Sequence, residues 1–217
     1  LVTTRRCCRP SMPPPPVFDL PLFPLQTVLF PGGLLSLKVF EARYLDLVGT
    51  CLRQQKPFGV VALKQGSEMR RGAQDSVTFE TTGTLAELID VDSAQSGILQ
   101  VRCRGTQRFD VKKSSQQGDG LWMAKASTLP DDEPAPPDET MHESVRGLAN
   151  AIATLKGQGA EPFLHPYHFD SAGWVANRWC EILPISIAAK QKLMELPDAQ
   201  LRLQLVDEFL RSKGVVK

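Results

Sequence analysis

Leu20-Pro21-Leu22-Phe23-Pro24-Leu25, then Val28-Leu29-Phe30-Pro31-Gly32-Gly33, then Leu37-Lys38-Val39-Phe40-Glu41-Ala42-Arg43-Tyr44 stand near the start of the chain, and their reading decides the fold. Leu20, Leu22 and the residues between them alternate like a strand. Pro21 and Pro24 cannot donate to a ladder, which points to an edge or bulged stretch. Pro31-Gly32 fits the two central positions of a type II turn, where proline presets φ and glycine accepts a positive one. Leu35, Leu37 and Val39 then alternate with Ser36 and Lys38, as in a half-buried strand. From Glu41 the period changes. Tyr44, Val48, Cys51 and Leu52 fall on one helical face, and the helix must stop before Pro57.

Outward from this stretch the chain first stays strand-like. Phe58 to Leu63 is a continuous apolar run, followed by a polar loop over 65–75 and a strand from Val77 to Thr82. Further strands are expected at about 84–91, 98–104, 107–113 and 121–128, separated by turn residues. Many short strands with one interposed helix predict a small, partly closed β-barrel. Residues 130–138 are acidic and proline-rich and read as a linker. Beyond it Met141, Val145, Leu148, Ile152 and Leu155 keep a helical period. Ser171, Ser186 and Asp198 are candidate caps of three later helices, the last closed by Gly214. The division is an extended leader over 1–16, a β-barrel over 17–129, a linker over 130–138 and a helical bundle over 139–217. The fold class is α+β.

A chain of 217 residues that is 42% apolar can fill a real core. Its formal net charge of +1 provides no long-range pull toward nucleic acid or an anionic membrane. No run approaches the roughly 18–20 apolar residues a membrane span needs, so no membrane partner is expected. Five cysteines, odd in number and without CxxC spacing, suit reduced thiols and a cytoplasmic location. Met12 is the first methionine, and residues 1–11 read as an upstream extension or a mis-set start.

The chemistry of turnover is missing from the pattern. There is no GxxxxGK[ST] phosphate loop and no GxSxG turn, so no catalytic residues and no cofactor are assigned. His165, His168 and Asp170 invite a metal reading, but Pro166 argues against a helix and a fourth ligand is lacking; no metal is assigned. Asp90, Asp92, Asp131 and Asp132 read as solvated carboxylates. Arg102 and Arg104 alternate with inward Val101 and Cys103, and with Arg108 and Lys112 they form a candidate anion-binding face. Asp110 sits among them, so nucleic acid ranks behind a solvated face or an acidic protein partner. Glu41 and Arg43 read either as a polar patch at the mouth of a groove or as a tie between helix and barrel.

The opening stretch, with Gly83-Thr84, Gly105-Thr106-Gln107-Arg108-Phe109, Leu183-Pro184-Ile185 and Lys190-Gln191-Lys192-Leu193, resembles the N-terminal, substrate-binding domain of the Lon proteases. The resemblance implies a PUA-like β pseudo-barrel with one crossover helix, followed by a C-terminal α-helical bundle. It also implies a stand-alone, non-enzymatic module without the ATPase and peptidase parts. Its partners would be protein or peptide clients, with a protease or chaperone, or a second copy in a homodimer, as further options. The candidate contacts are Leu22, Phe23, Leu25, Phe30 and Pro31 in the leader, and Met69 in the 65–75 loop.

Overall fold

The computed structural model of the protein describes residues 12–65 and 76–217. Seven strands form one sheet: β1 (Val17–Leu25), β2 (Leu34–Val39), β3 (Phe58–Gln65), β4 (Thr78–Phe79), β5 (Thr82–Gln95), β6 (Ile98–Gln116) and β7 (Trp122–Thr128). The hydrogen-bonded order β1-β7-β6-β5-β3 closes into a ring because β3 also pairs with β1. That closure is parallel, with Leu22 opposite Gly59, whereas β1 and β7 run antiparallel with Val17 opposite Ser127. β1 pairs with β7 over 17–22 and with β3 over 22–25, so each proline has one unpaired side, where a residue without an N–H is tolerated. Helix α1 (Ala42–Gln54) crosses from β2 to β3 and ends at Gln55 in the left-handed region.

β6 departs from the expected pair of strands. It is one strand of 19 residues, whose first half pairs with β2 and β5 and whose second half pairs with β7. Gly105 lies where it changes neighbours. There the Pro31-Gly32 turn docks edge-on, Gly32 N–H donating to Gly105 O at 2.7 Å and Gly105 N–H to Gly33 O at 2.8 Å. A Cβ on Gly105 would lie 2.3 Å from Phe30 O, so this glycine is required by close backbone approach. The turn itself is as expected: Gly33 N–H donates to Phe30 O, and Gly32 has φ +77°.

Four helices follow: α2 (His142–Gly157), α3 (Ala172–Ile182), α4 (Ile187–Glu195) and α5 (Ala199–Ser212). Ser171, Ser186 and Asp198 each accept a backbone N–H from the first turn of α3, α4 and α5. Leu148, Val175, Trp179, Leu203, Val206 and Leu210 fill the space between the helices.

The candidate contacts of the opening stretch do not lie open. Leu22, Phe23, Leu25 and Phe30 are all buried, at most 5% exposed. Phe23 stacks on Tyr44 with ring centroids 3.8 Å apart, under α1. Phe30 joins the helical core with Val28 and Ala62, although it comes from the barrel half. Burying such side chains stabilises by about 1.5–3 kcal/mol each, which is why the chain hides them. Their expected role as surface contacts is therefore corrected: Leu22, Phe23 and Leu25 fill the core of the barrel and its helix, and Phe30 joins the barrel to the bundle. Pro31 belongs to the same seam, because its carbonyl accepts from Arg178 Nη2 at 2.8 Å.

Residues 130–138 likewise differ from a free linker. Asp132 is held by Arg202 and lies 3.9 Å from Arg108. Ala135 O accepts from Ala172 N–H, and Pro136 O from the Gln200 amide. The segment is a strap across the bundle, and Asp132 is not the solvated carboxylate its acidic neighbours led one to expect.

Candidate functional site

Helix α1 has two adjacent faces. One, with Tyr44 and Val48, is buried on the barrel core. The next, at Leu47 and Cys51 and then Asp46, Thr50 and Gln54, looks onto a groove. β1 supplies the opposite wall with Phe18, Leu20 and Pro21, and the β6–β7 turn closes one end with Gln117, Asp119, Leu121 and Met123. The cavity measures about 560 Å³, within the range of roughly 300–1,000 Å³ for binding clefts. Its floor is apolar, with Leu20, Leu47, Cys51 and Leu121 buried. Its rim is charged.

Arg43 fixes the shape of the end near the turn. Its Nε pairs with Glu41 at 3.1 Å, its Nη1 donates to Gly120 O at 2.8 Å, and its guanidinium lies 4.6 Å from the centre of the Tyr44 ring. The two alternatives for Glu41 and Arg43 thus meet in one arrangement. Arg43 lines the groove and also ties α1 to the β6–β7 turn. Being 9% exposed, it is spent on that tie more than offered to solvent.

The expected anion-binding face is dispersed. Arg102 and Arg104 are exposed, but Asp90 and Glu87 stand directly opposite them on β5. Opposite charges facing across a strand pair neutralise each other. Lys112 lies 4.0 Å from Asp110. Arg108 is a correction to the outward placement: it is 5% exposed and donates to Met194 O, Leu196 O and Pro130 O. It follows the register shift between Thr84 and Ala86, which turns this part of β6 onto the bundle. Burial is the main influence on its pKa and lowers it, with Asp132 acting in the opposite sense.

Among the described residues no group of three or more His, Cys, Asp or Glu side chains could hold a metal ion. His165 instead stacks on Tyr167 at 4.3 Å. The three thiols among the described residues are poor nucleophiles: burial pushes Cys103 and Cys180 up to about 12, and raises Cys51 as well. Met69 and the 66–75 loop lie outside the described residues.

The sequence reading missed the groove. Its signal was present in Asp46, Thr50 and Gln54, a polar row at i, i+4 and i+8 beside apolar Leu47 and Cys51. Only the fold shows that β1 and the β6–β7 turn stand across from that row.

A strand ring crossed by one helix, docked on a helical bundle and carrying an open apolar-floored groove, defines the class of α+β domain to which this molecule belongs. The chain is a member of the family described as the ATP-dependent protease La (LON) substrate-binding domain, whose model matches residues 19–212. The crystal structure of a Lon N-terminal domain protein from Xanthomonas campestris is 31% identical, with a TM-score of 0.69 covering 87% of this chain and 96% of that one. The N-terminal domain of a Mycobacterium avium complex Lon protease shares the fold at 13% identity, with a TM-score of 0.60 over 89% and 98% of the two chains. The Lon protease of Anaeromyxobacter dehalogenans is 25% identical over 94% of this chain, and Lon protease 2 of Myxococcus xanthus 26% over 89%. The chain spans 25% and 24% of the length of these two relatives.

Proposed function

We propose that this chain is a non-enzymatic protein-binding domain that engages unfolded or apolar protein segments, or a partner in proteolysis, through the groove beside α1. The observation that carries the reading is the match over residues 19–212 to a family described as substrate-binding. The apolar floor and charged rim of the groove add a surface suited to the task. Binding would be weak and adaptable, because shallow apolar contacts tolerate many sequences. The reading places the domain in the cytoplasm and assigns it no turnover of ATP or peptide bonds.

The test is fluorescence anisotropy with a reduced, carboxymethylated protein that cannot fold, and with its native form as control. Dissociation constants of roughly micromolar and above are expected for the unfolded form, with none measurable for the native one. Apolar contact should also persist as salt rises, since screening acts on charges. Equal failure to bind either form overturns the proposal, as does hydrolysis of ATP or casein by contaminant-free protein.

A further inference from the structure

The charges on the groove rim are unevenly paired. Asp19 is taken by Lys125, Nζ to Oδ1 at 2.6 Å, and Arg43 by Glu41. Asp119 accepts only the Leu121 N–H, and Asp46 has no hydrogen bond or ion pair to any described residue. These two carboxylates share one end of the groove. Arg43 reaches from the first turn of α1 to Gly120 O, so the turn carrying Asp119 lies beside the helix start, near Asp46. At the other end of the helix stands Lys56, exposed and likewise without an ion pair to any described residue. The groove is therefore acidic at one end, apolar along its floor and basic at the other.

Its length sets what can lie in it. From Arg43 to Gln54 the helix rises about 16 Å at 1.5 Å per residue, room for about five residues of extended chain at roughly 3.3 Å each. The volume of about 560 Å³ takes one large apolar side chain and its neighbours, not a folded element.

We infer that the groove selects an extended segment of unfolded polypeptide in which an apolar side chain, seated over Leu47 and Leu121, adjoins a lysine or arginine held by Asp46 and Asp119. This rests on the protein-binding reading and narrows it to a substrate class. The unpaired carboxylates are the reason for the basic residue: a lysine there gains two counter-charges, whereas a glutamate meets like charge. Lys56 repels the same cation at the far end and so sets the direction in which the segment lies.

The probes are two fluorescent peptides, Gly-Lys-Leu-Phe-Leu-Ser-Gly and the same peptide with glutamate for lysine. The wild-type protein is expected to prefer the lysine peptide by about fivefold or more at low salt, the upper range of an exposed ion pair. The double variant Asp46→Lys with Asp119→Lys should abolish or invert that preference. Thr50→Trp, which fills the groove from a half-exposed position, should weaken the lysine peptide by about tenfold while thermal unfolding stays unchanged. On the unmodified protein, the methyl resonances of Leu47, Leu121 and Met123 should shift when the lysine peptide is added. Equal affinity for the two peptides, or methyl shifts elsewhere only, overturns the inference while binding of unfolded protein leaves the broader reading standing. If neither the peptides nor an unfolded protein binds, both fall.

Discussion

The guanidinium of Arg202 grips both oxygens of Asp132, Nη1 to Oδ2 at 2.8 Å and Nη2 to Oδ1 at 3.1 Å. Arg202 is 1% exposed and also donates to Leu193 O, Leu196 O and the side chain of Asn177. A cation so deeply placed must have its counter-charge, and the strap supplies it. Arg108 reaches the same carboxylate from the barrel side, at 3.9 Å. One aspartate thus joins strap, barrel and bundle.

Asp132→Ala should destabilise the protein by about 3–5 kcal/mol, since it leaves a buried guanidinium without its partner. Chemical denaturation measures the loss. The strap can be watched separately with a glutamyl endopeptidase. Cleavage after Glu133 should be slow in the wild type and early in Asp132→Ala; early cleavage in the wild type would mean the strap is not held.

Phe30→Ala should cost about 3–5 kcal/mol, the usual loss for emptying a buried aromatic site. Phe30→Asp should not give a folded protein at all, because its charge would sit in the helical core. A soluble, cooperative Phe30→Asp protein with native circular dichroism would contradict the seam described above.

Glu181 gives the molecule a pH-dependent stability. Burial pushes its carboxyl up from 4.5 to about 7, against the opposing pull of Arg178 and Lys190. The folded state therefore binds a proton that the unfolded state has released. Its contribution is fully present below about 4.5 and is lost as pH rises through about 7, on the order of 3 kcal/mol in all. Glu181→Gln should flatten the fall in stability across that window. Parallel curves for variant and wild type would show that the carboxyl does not titrate there.

Arg102→Glu combined with Arg104→Glu should cost about 1–2 kcal/mol of stability, because each new carboxylate then faces Asp90 or Glu87 across the strand pair, while the protein stays folded. Peptide affinity should be unchanged, because neither residue lines the groove. Filter binding of single-stranded RNA is the contrary measurement. Retention by the wild type that disappears in this variant would restore a nucleic-acid role.

Much of the fold was legible because local chemistry and tertiary packing agree. Pro31-Gly32 demands its turn, Ser171, Ser186 and Asp198 cap their helices, and α1 stops before Pro57. The site was less legible, for two physical reasons. Phe30 and Leu22 look alike in sequence whether they face solvent or a core; closure of the barrel buries Leu22, and the docking of bundle on barrel buries Phe30. Arg108 continues the alternation of Arg102 and Arg104 in sequence, but the irregular register near Gly105 breaks that alternation. The groove is assembled from β1, α1 and the β6–β7 turn, segments far apart in the chain. No local pattern encodes that meeting.

The pairing of Val17 with Ser127 and of Leu22 with Gly59 also governs the order of events in folding. Loop-closure entropy must be met before such distant partners reward it, which makes folds rich in non-local strand pairing slower than helical bundles. During synthesis β1 is the first of these strands to be made and among the last to be covered: its apolar residues wait for β3 on one side and β7 on the other. Phe30 waits longer still, for helices that follow the strap. A nascent chain of this sequence therefore exposes an apolar, strand-prone segment of the kind its finished groove is proposed to bind, until its own last strands and helices cover it.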